Sequence, residues 1–338
     1  MPGASKRRKG RGVKPNDRTQ NRSVSMTLQT SHLQQVNATL DEMRKIASSG
    51  QLYGVLDACD APTVVVKAKE LGEKRAVSLY HGSAEEEYWA IAPYLVRVDN
   101  AILDWIVPTL CKEPWGIFVV AEADLETLRK HFRRFLLAQL PNEEIWYFRY
   151  YDPRILEVYL SSCLFEELVE FFGPATALGT WLPALNSTLL TKMSTVGIST
   201  SRQRGSTTST ALPKIRPEQY EFFRRTATKN FEERMTQHLK EFFPGIYQSL
   251  GEEHAREVIL YGMKRAASYQ ITIERDVCKY IDVMLIYGND FDRDPVCEWA
   301  TNILNDQQLK DSGDMVAQLF DVALNRSEGG ELQAPNEP

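Results

Sequence analysis

The spacing of apolar residues predicts two folded parts of different type. Between residues 52 and 185, short apolar runs such as Gly116–Ala121 alternate with amphipathic stretches. This alternation is typical of strands and helices packed in layers. Beyond Tyr220, apolar residues recur every three or four positions, which indicates helices. We therefore expect an N-terminal α/β lobe with a mixed sheet and a C-terminal all-helical lobe.

Four elements of the first part have clear signals. Residues 33–47 place their apolar side chains on one side of a predicted helix. Residues 124–140 form a second predicted helix, because Asp124 offers an N-cap and the apolar positions follow helical spacing. Residues 145–150 hold aromatic residues on both faces of a predicted strand, so we expect a central strand that is covered on both sides. Asp152 then caps another helix.

Polar and small residues divide the chain into segments. The stretch after the α/β part is dense in Ser, Thr and Gly and is predicted to be a linker that begins with a hairpin strand at residues 189–196. The complete division is a disordered basic arm at 1–28, the α/β domain at 29–185, the linker at 186–213, the helical lobe at 214–325 and a flexible tail at 326–338.

Positive charge is concentrated at the N-terminus. Residues 1–22 hold eight Lys or Arg and one acidic residue, a charge of about +7 in a chain whose total is −5. Such an arm suits nucleic acid, anionic lipid or an acidic protein, but no aromatic residue interleaves with the charges as in single-strand binders. We therefore favour a solvated tail and disfavour nucleic acid as a partner. A second basic stripe, Arg129, Lys130, Arg133 and Arg134, is interpreted as a solvated helix face.

The sequence contains no signal for a membrane or for export. No apolar run reaches the roughly 18 residues of a membrane span, and no apolar stretch follows the basic N-terminus as in a signal peptide. The five cysteines lie singly, which favours a reducing cytosol over a disulfide framework. We therefore expect a cytoplasmic protein without a membrane partner.

Local motifs for chemistry are missing from the sequence. Asp290, Asp292 and Asp294 begin like a calcium loop, but Pro295 and Thr301 stand where a glycine and an acid are required. The five histidines show no metal-ligand spacing, and no nucleophile, phosphate-binding or dinucleotide motif occurs. The sequence therefore predicts no catalytic residue, no metal and no cofactor, although a site assembled from distant positions stays open.

The stretch from 149 to 154, Arg-Tyr-Tyr-Asp-Pro-Arg, is the strongest candidate for an interface. It crosses from a predicted strand end into a helix start, where α/β sheets present side chains to ligands. Tyrosine and arginine also contribute much of the binding energy in interfaces. The candidate partner contacts are Trp115, Arg149, Tyr151, Asp152, Arg154 and Trp181. The alternatives are helix capping and ion pairing for the residues of the stretch, and burial in a core for the two tryptophans.

Five stretches occur in an order that resembles a known family. They are YLVRVDN (94–100), PWGIFVV (114–120), LRKHFRRFLLAQ (128–139), WYFRYYDPRILEVYL (146–160) and FFGP (171–174). Together they resemble domain-of-unknown-function 4123 (DUF4123), the type VI secretion adaptor family, over about residues 52–175. Residues 262–295 are also similar to the helical lobe that is often joined to this domain.

The resemblance implies a bacterial cytosolic adaptor, or chaperone, and not an enzyme. Members of this kind hold a toxic effector encoded nearby and help to load it onto the spike protein VgrG. Two lobes joined by a linker suit such a role, because they can clamp an apolar segment of the effector. The alternatives are a hydrolase with a dispersed acidic site and a nucleic-acid-binding factor that uses the basic arm.

Overall fold

The computed structural model describes residues 32–110, 114–194, 211–306, 308–309 and 311–328. The predicted basic arm at 1–28 lies outside the described residues, as do most of the predicted linker and most of the predicted tail.

The N-terminal part is an α/β lobe. Its strands are β1 (Leu33–Thr39), β2 (Leu52–Asp57), β3 (Ala76–Ser78), β4 (Pro93–Arg97), β5 (Gly116–Ala121), β6 (Leu137–Gln139), β7 (Ile145–Tyr147), β8 (Ala175–Leu182) and β9 (Ser187–Met193). Its helices are α1 (Leu40–Ser48), α2 (Thr63–Leu71), α3 (Ser83–Glu87), α4 (Asn100–Leu110), α5 (Leu125–Arg133), α6 (Pro153–Ser162) and α7 (Phe165–Phe172). Seven strands form one sheet in the order β1-β9-β8-β5-β2-β4-β3, and each of its pairings is antiparallel. Strands β6 and β7 form a separate hairpin.

The large sheet is covered on both faces. Because side chains alternate along a strand, Val55 and Ile117 point to one face, whereas Leu56 and Phe118 point to the other. Helices α5, α6 and α7 supply the first core, and α1, α2 and α4 supply the second core. The central strands β2 and β5 are buried along their whole length, which explains the apolar sequence of β5 and that of β2 up to Asp57.

Three predicted elements differ from the structure. Residues 33–47 were predicted to be one helix, but β1 occupies the first seven positions because its backbone pairs with β9. The capping box of Thr39 and Glu42 then begins α1. The predicted helix at 124–140 ends at Arg133, since Leu137–Gln139 enters the hairpin. The prediction of a covered central strand at 145–150 is wrong, because β7 has three residues and all are exposed.

The C-terminal part is helical, as predicted. Its helices are α8 (Pro217–Phe242), α9 (Pro244–Ser268), α10 (Glu274–Tyr287), α11 (Glu298–Leu304) and α12 (Ser312–Glu328). Their shared core includes Leu239, Ile259, Tyr280 and Met284, each completely buried. This core is separate from the two cores of the α/β lobe.

Helix α8 connects the two lobes. Tyr220 and Phe223, near its start, pack against the first core of the α/β lobe, whereas Phe231 and Leu239 belong to the helical core. Just before the helix, Arg216 Nε donates a hydrogen bond of 2.7 Å to Glu167 on α7. The segment assigned to the linker contains β9 at its beginning, inserted between β1 and β8, while residues 195–210 lie outside the described part of the chain.

Candidate partner-binding site

Several chain segments meet at the edge of the large sheet that is formed by the ends of its central strands. Strand β2 ends there at Asp57, and β4 begins there at Pro93, which lies opposite Asp57 in the pairing. The backbone N–H of Asp57 donates a hydrogen bond of 2.7 Å to the carbonyl of Trp115, which precedes β5. This edge therefore joins residues that are far apart in the sequence.

Arg149 connects the turn after β7 to this edge. Its Nη2 contacts Oδ2 of Asp57 and lies 2.8 Å from Oδ2 of Asp60. The other carboxylate oxygen of Asp57 accepts a hydrogen bond of 2.9 Å from the backbone N–H of Cys59. Burial raises the pKa of Asp57, and the guanidinium of Arg149 opposes that rise. Both oxygens of this buried carboxylate are thus occupied by groups of the protein itself.

Asp152 and Arg154 form a second ion pair on the same turn. Asp152 caps α6 by accepting a hydrogen bond of 2.9 Å from the backbone N–H of Arg154. The guanidinium of Arg154 also binds this carboxylate, at 3.0 Å from Nε and 2.6 Å from Nη2. The Asp152 side chain is buried, but that of Arg154 is 63% exposed. The two alternatives considered from the sequence, helix capping by Asp152 and its ion pair with Arg154, are therefore both present, and Arg154 also faces solvent.

Tyr151 is buried and contacts the hairpin through its hydroxyl group. Its hydroxyl lies 3.0 Å from the hydroxyl of Tyr147 on β7, and the Tyr147 ring packs edge-on against Tyr80. Burial of the hydroxyl groups raises the pKa of both Tyr147 and Tyr151, although Tyr147 as a whole residue is 41% exposed. Both phenols therefore keep their protons at neutral pH. One of the two hydroxyls is then the donor in this hydrogen bond and the other is the acceptor.

Trp115 and Trp181 lie on the opposite face of the sheet from Tyr151. Both are buried in the second core, where Trp115 packs edge-on against Phe118 at a ring distance of 5.0 Å. Neither tryptophan is exposed in this structure, which corresponds to the alternative of core burial. The structure therefore brings Arg149, Tyr151, Asp152 and Arg154 together, whereas the side chains of the two tryptophans lie in the second core.

An exposed apolar face on the hairpin was not recognised in the sequence. Leu137 on β6 lies opposite Tyr147 on β7, with Ile145 two residues away on the same side. We name these three residues the hairpin face; their exposures are 42%, 41% and 58%. No described strand pairs with the outer edge of β7, whereas β6 is covered by residues 213–215 through hydrogen bonds of Gln139. Isolated exposed apolar residues are ordinary, but three on one side of an edge hairpin make this face a candidate binding surface.

The basic stripe on α5 is largely engaged inside the molecule. Arg129 binds Glu85 and the carbonyl of Ser78, and Arg133 donates to the carbonyl of Leu79. Arg134 pairs with Glu170 at 2.8 Å. These contacts occupy the guanidinium groups that a phosphate backbone would need, so they count against the nucleic-acid alternative.

One group of side chains in the helical lobe has the composition of a metal site. His238, Cys278 and Asp282 offer ligand atoms that all lie within 4.8 Å of one another. The sequence did not predict this group, because His238 is distant from the other two residues along the chain. The spacing of Cys278 and Asp282, one helical turn apart, was the only available signal.

The architecture defines a two-part protein: an antiparallel sheet covered by helices on both faces, with an exposed hairpin at its edge, joined to a helical lobe. The family model for the domain of unknown function DUF4123 matches residues 52–169, which hold β2 to β7 and most of α7. The match covers the same part of the chain as the resemblance to this family. No curated protein and no solved structure is significantly similar to the chain. Among the described residues, no helix is both long and apolar enough to span a membrane.

Proposed function

We propose that the protein is a bacterial cytoplasmic adaptor, or chaperone, that binds a type VI secretion toxin encoded nearby and helps to load it onto the VgrG spike. The proposal combines the adaptor role implied by the DUF4123 domain with the hairpin face, which is the observation that carries it. Leu137, Ile145 and Tyr147 form an apolar surface next to a strand edge that is open among the described residues. An extended segment of the toxin can add to such an edge and place its apolar side chains on this face.

The polar turn beside the hairpin supplies the rim of the proposed surface. Arg154 is the exposed charge of this turn, and Arg149 is 30% exposed. Asp152 and Tyr151 hold the turn and the hairpin in place from their buried positions. An apolar centre with an arginine-containing rim is the usual composition of a protein interface. Trp115 and Trp181 contribute to the proposed function only through the packing of the second core.

The arrangement favours binding over catalysis. Asp57 and Asp152 are the buried carboxylates of this site, and groups of the protein itself bind both oxygens of each. A general acid or base needs an oxygen within hydrogen-bond reach of a substrate. We therefore propose that the protein makes and breaks no covalent bonds.

Co-purification tests the proposed function. The full chain is expressed together with the toxin encoded beside it, and the complex is expected to survive size-exclusion chromatography at moderate salt. Binding through apolar contacts and backbone pairing depends only weakly on salt. Clean separation of the two proteins would contradict the proposal, and turnover of a substrate by the pure protein would favour the hydrolase.

A further inference from the structure

Three side chains from two helices of the helical lobe converge on one point. His238 lies on α8, and Cys278 and Asp282 lie one turn apart on the same side of α10. The Nε2 atom of His238 is 2.8 Å from Oδ1 of Asp282, and the Cys278 thiol completes a set of ligand atoms within 4.8 Å of one another. The fold thus brings the imidazole of His238 close to a thiol and a carboxylate that lie 40 and 44 residues further along the chain.

The dimensions of this group fit a tetrahedral ion. Zinc binds sulfur at about 2.3 Å and nitrogen or oxygen at about 2.0 Å, so its ligand atoms lie roughly 3.3–3.6 Å from one another. The separation of 2.8 Å between His238 and Asp282 is slightly shorter than this, and the limit of 4.8 Å for the set is longer. The observed separations thus bracket those of a tetrahedral site.

The surroundings also suit a bound ion. The Asp282 and His238 side chains are 11% and 24% exposed, so the group is sheltered but still reachable from solvent. The ring of Phe242 packs against His238 at 4.8 Å and limits its movement. Three protein ligands with one accessible side leave the fourth position for water. The combination of thiolate, imidazole and carboxylate selects a borderline ion such as Zn²⁺ over Mg²⁺ or Ca²⁺.

We propose that His238, Cys278 and Asp282 bind one Zn²⁺ ion. The ion joins α8 to α10, and α8 is the helix that packs against both lobes. By binding residues of both helices, the ion stabilises the helical lobe and holds the C-terminal part of α8 against α10. This site lies far along the chain from the DUF4123 domain and does not depend on the proposed adaptor function.

Cobalt titration of the untagged, metal-free full chain tests the site. Co²⁺ is expected to bind with one equivalent and to give the thiolate-to-cobalt charge-transfer absorption of a cysteine ligand, and Zn²⁺ is expected to displace it. C278S should remove that absorption, and H238Q should weaken Zn²⁺ binding at least about tenfold. Exposed Cys59 and exposed His254 provide the matched controls C59S and H254Q, which should bind like the wild type.

The melting temperature separates loss of the ion from loss of the fold. Zn²⁺ should raise the melting temperature of the wild type and of both controls, and it should not raise that of C278S or H238Q. In metal-free buffer, both variants should melt close to the wild type. No Co²⁺ binding by the wild type would overturn the proposal. An unchanged charge-transfer absorption in C278S would overturn it equally, as would unchanged Zn²⁺ affinity in H238Q.

Discussion

Arg149 contacts the buried carboxylate of Asp57 although 92 residues separate them in the chain. This pair joins the turn after the hairpin to the end of β2, and Asp60 adds a second carboxylate to the same guanidinium. The candidate surface is thereby attached to the most buried part of the sheet. A partner that binds the hairpin meets a surface already held in position, which lowers the entropy lost on binding.

The Arg149–Asp57 pair is expected to contribute to stability. R149M leaves the Asp57 carboxylate buried without its charged partner, which costs about 3–5 kcal/mol for a fully buried pair. Because Arg149 is 30% exposed, we expect a loss of about 2–3 kcal/mol in the free energy of unfolding, measured with urea. R154M is the control, with an expected loss below about 1 kcal/mol. Equal losses in the two variants would contradict a special role for Arg149.

Gly173, in the FFGP stretch after α7, lies at a position that requires glycine, because of its backbone conformation and the adjacent His131 ring. Its φ is +48°, and an added Cβ would lie 2.2 Å from Cε1 of His131. G173A should therefore lower the free energy of unfolding by about 2–4 kcal/mol through strain and displacement of the ring. G245A is the matched control, because an added Cβ there meets no atom within 4 Å. A G173A variant as stable as G245A would show that this turn adapts freely.

His131 predicts a dependence of stability on pH. Burial lowers the pKa of its imidazole, and nearby Arg134 adds to this, although a hydrogen bond of 2.8 Å to the carbonyl of Phe171 opposes it. The unfolded chain takes up this proton at a pH of about 6.5, whereas the folded protein resists it until a lower pH. The stability that His131 contributes is therefore present above about pH 6.5 and is lost as the pH falls through the folded pKa.

The measurement compares the wild type with H131Q between about pH 7.5 and pH 5. As the pH falls, the free energy of unfolding of the wild type should decrease relative to that of H131Q, because only the wild type has this imidazole to protonate. The ion pair of Arg134 with Glu170 is common to both proteins and cancels in the comparison. A constant difference over this range would contradict the lowered pKa of His131.

The parts of the fold that the sequence predicted are those with strong local signals. Strand β5 is a continuous apolar run, as is β2 up to Asp57, and Asp124 and Asp152 cap the helices they were expected to begin. Strand β1 has only Ala38 buried, so its side chains carry no pattern of alternation. It is a strand because its backbone pairs with β9, a contact between distant residues that local spacing does not record.

The candidate site was also predictable only in part, because local signals mark its turn but not the contacts between distant residues. The turn at residues 149–154 was identified from its arginines and tyrosines, and Arg149 does reach the edge of the sheet. The exposure of Leu137, Ile145 and Tyr147 was missed, because aromatic and aliphatic residues are more often buried and only the short hairpin places these outside. The meeting of His238 with Cys278 and Asp282 depends on the packing of α8 near α10, which no spacing along the chain reveals.

If the hairpin face binds the toxin encoded nearby, changes to this face must lower the affinity of the protein for that toxin. Isothermal titration calorimetry compares the wild type with L137S/I145S and with V66S, in which an equally exposed apolar residue on α2 is changed. We predict that the wild type and V66S bind the toxin with the same affinity. The L137S/I145S variant should bind at least about tenfold more weakly, with an unchanged melting temperature. Equal affinity of L137S/I145S and the wild type would contradict the account.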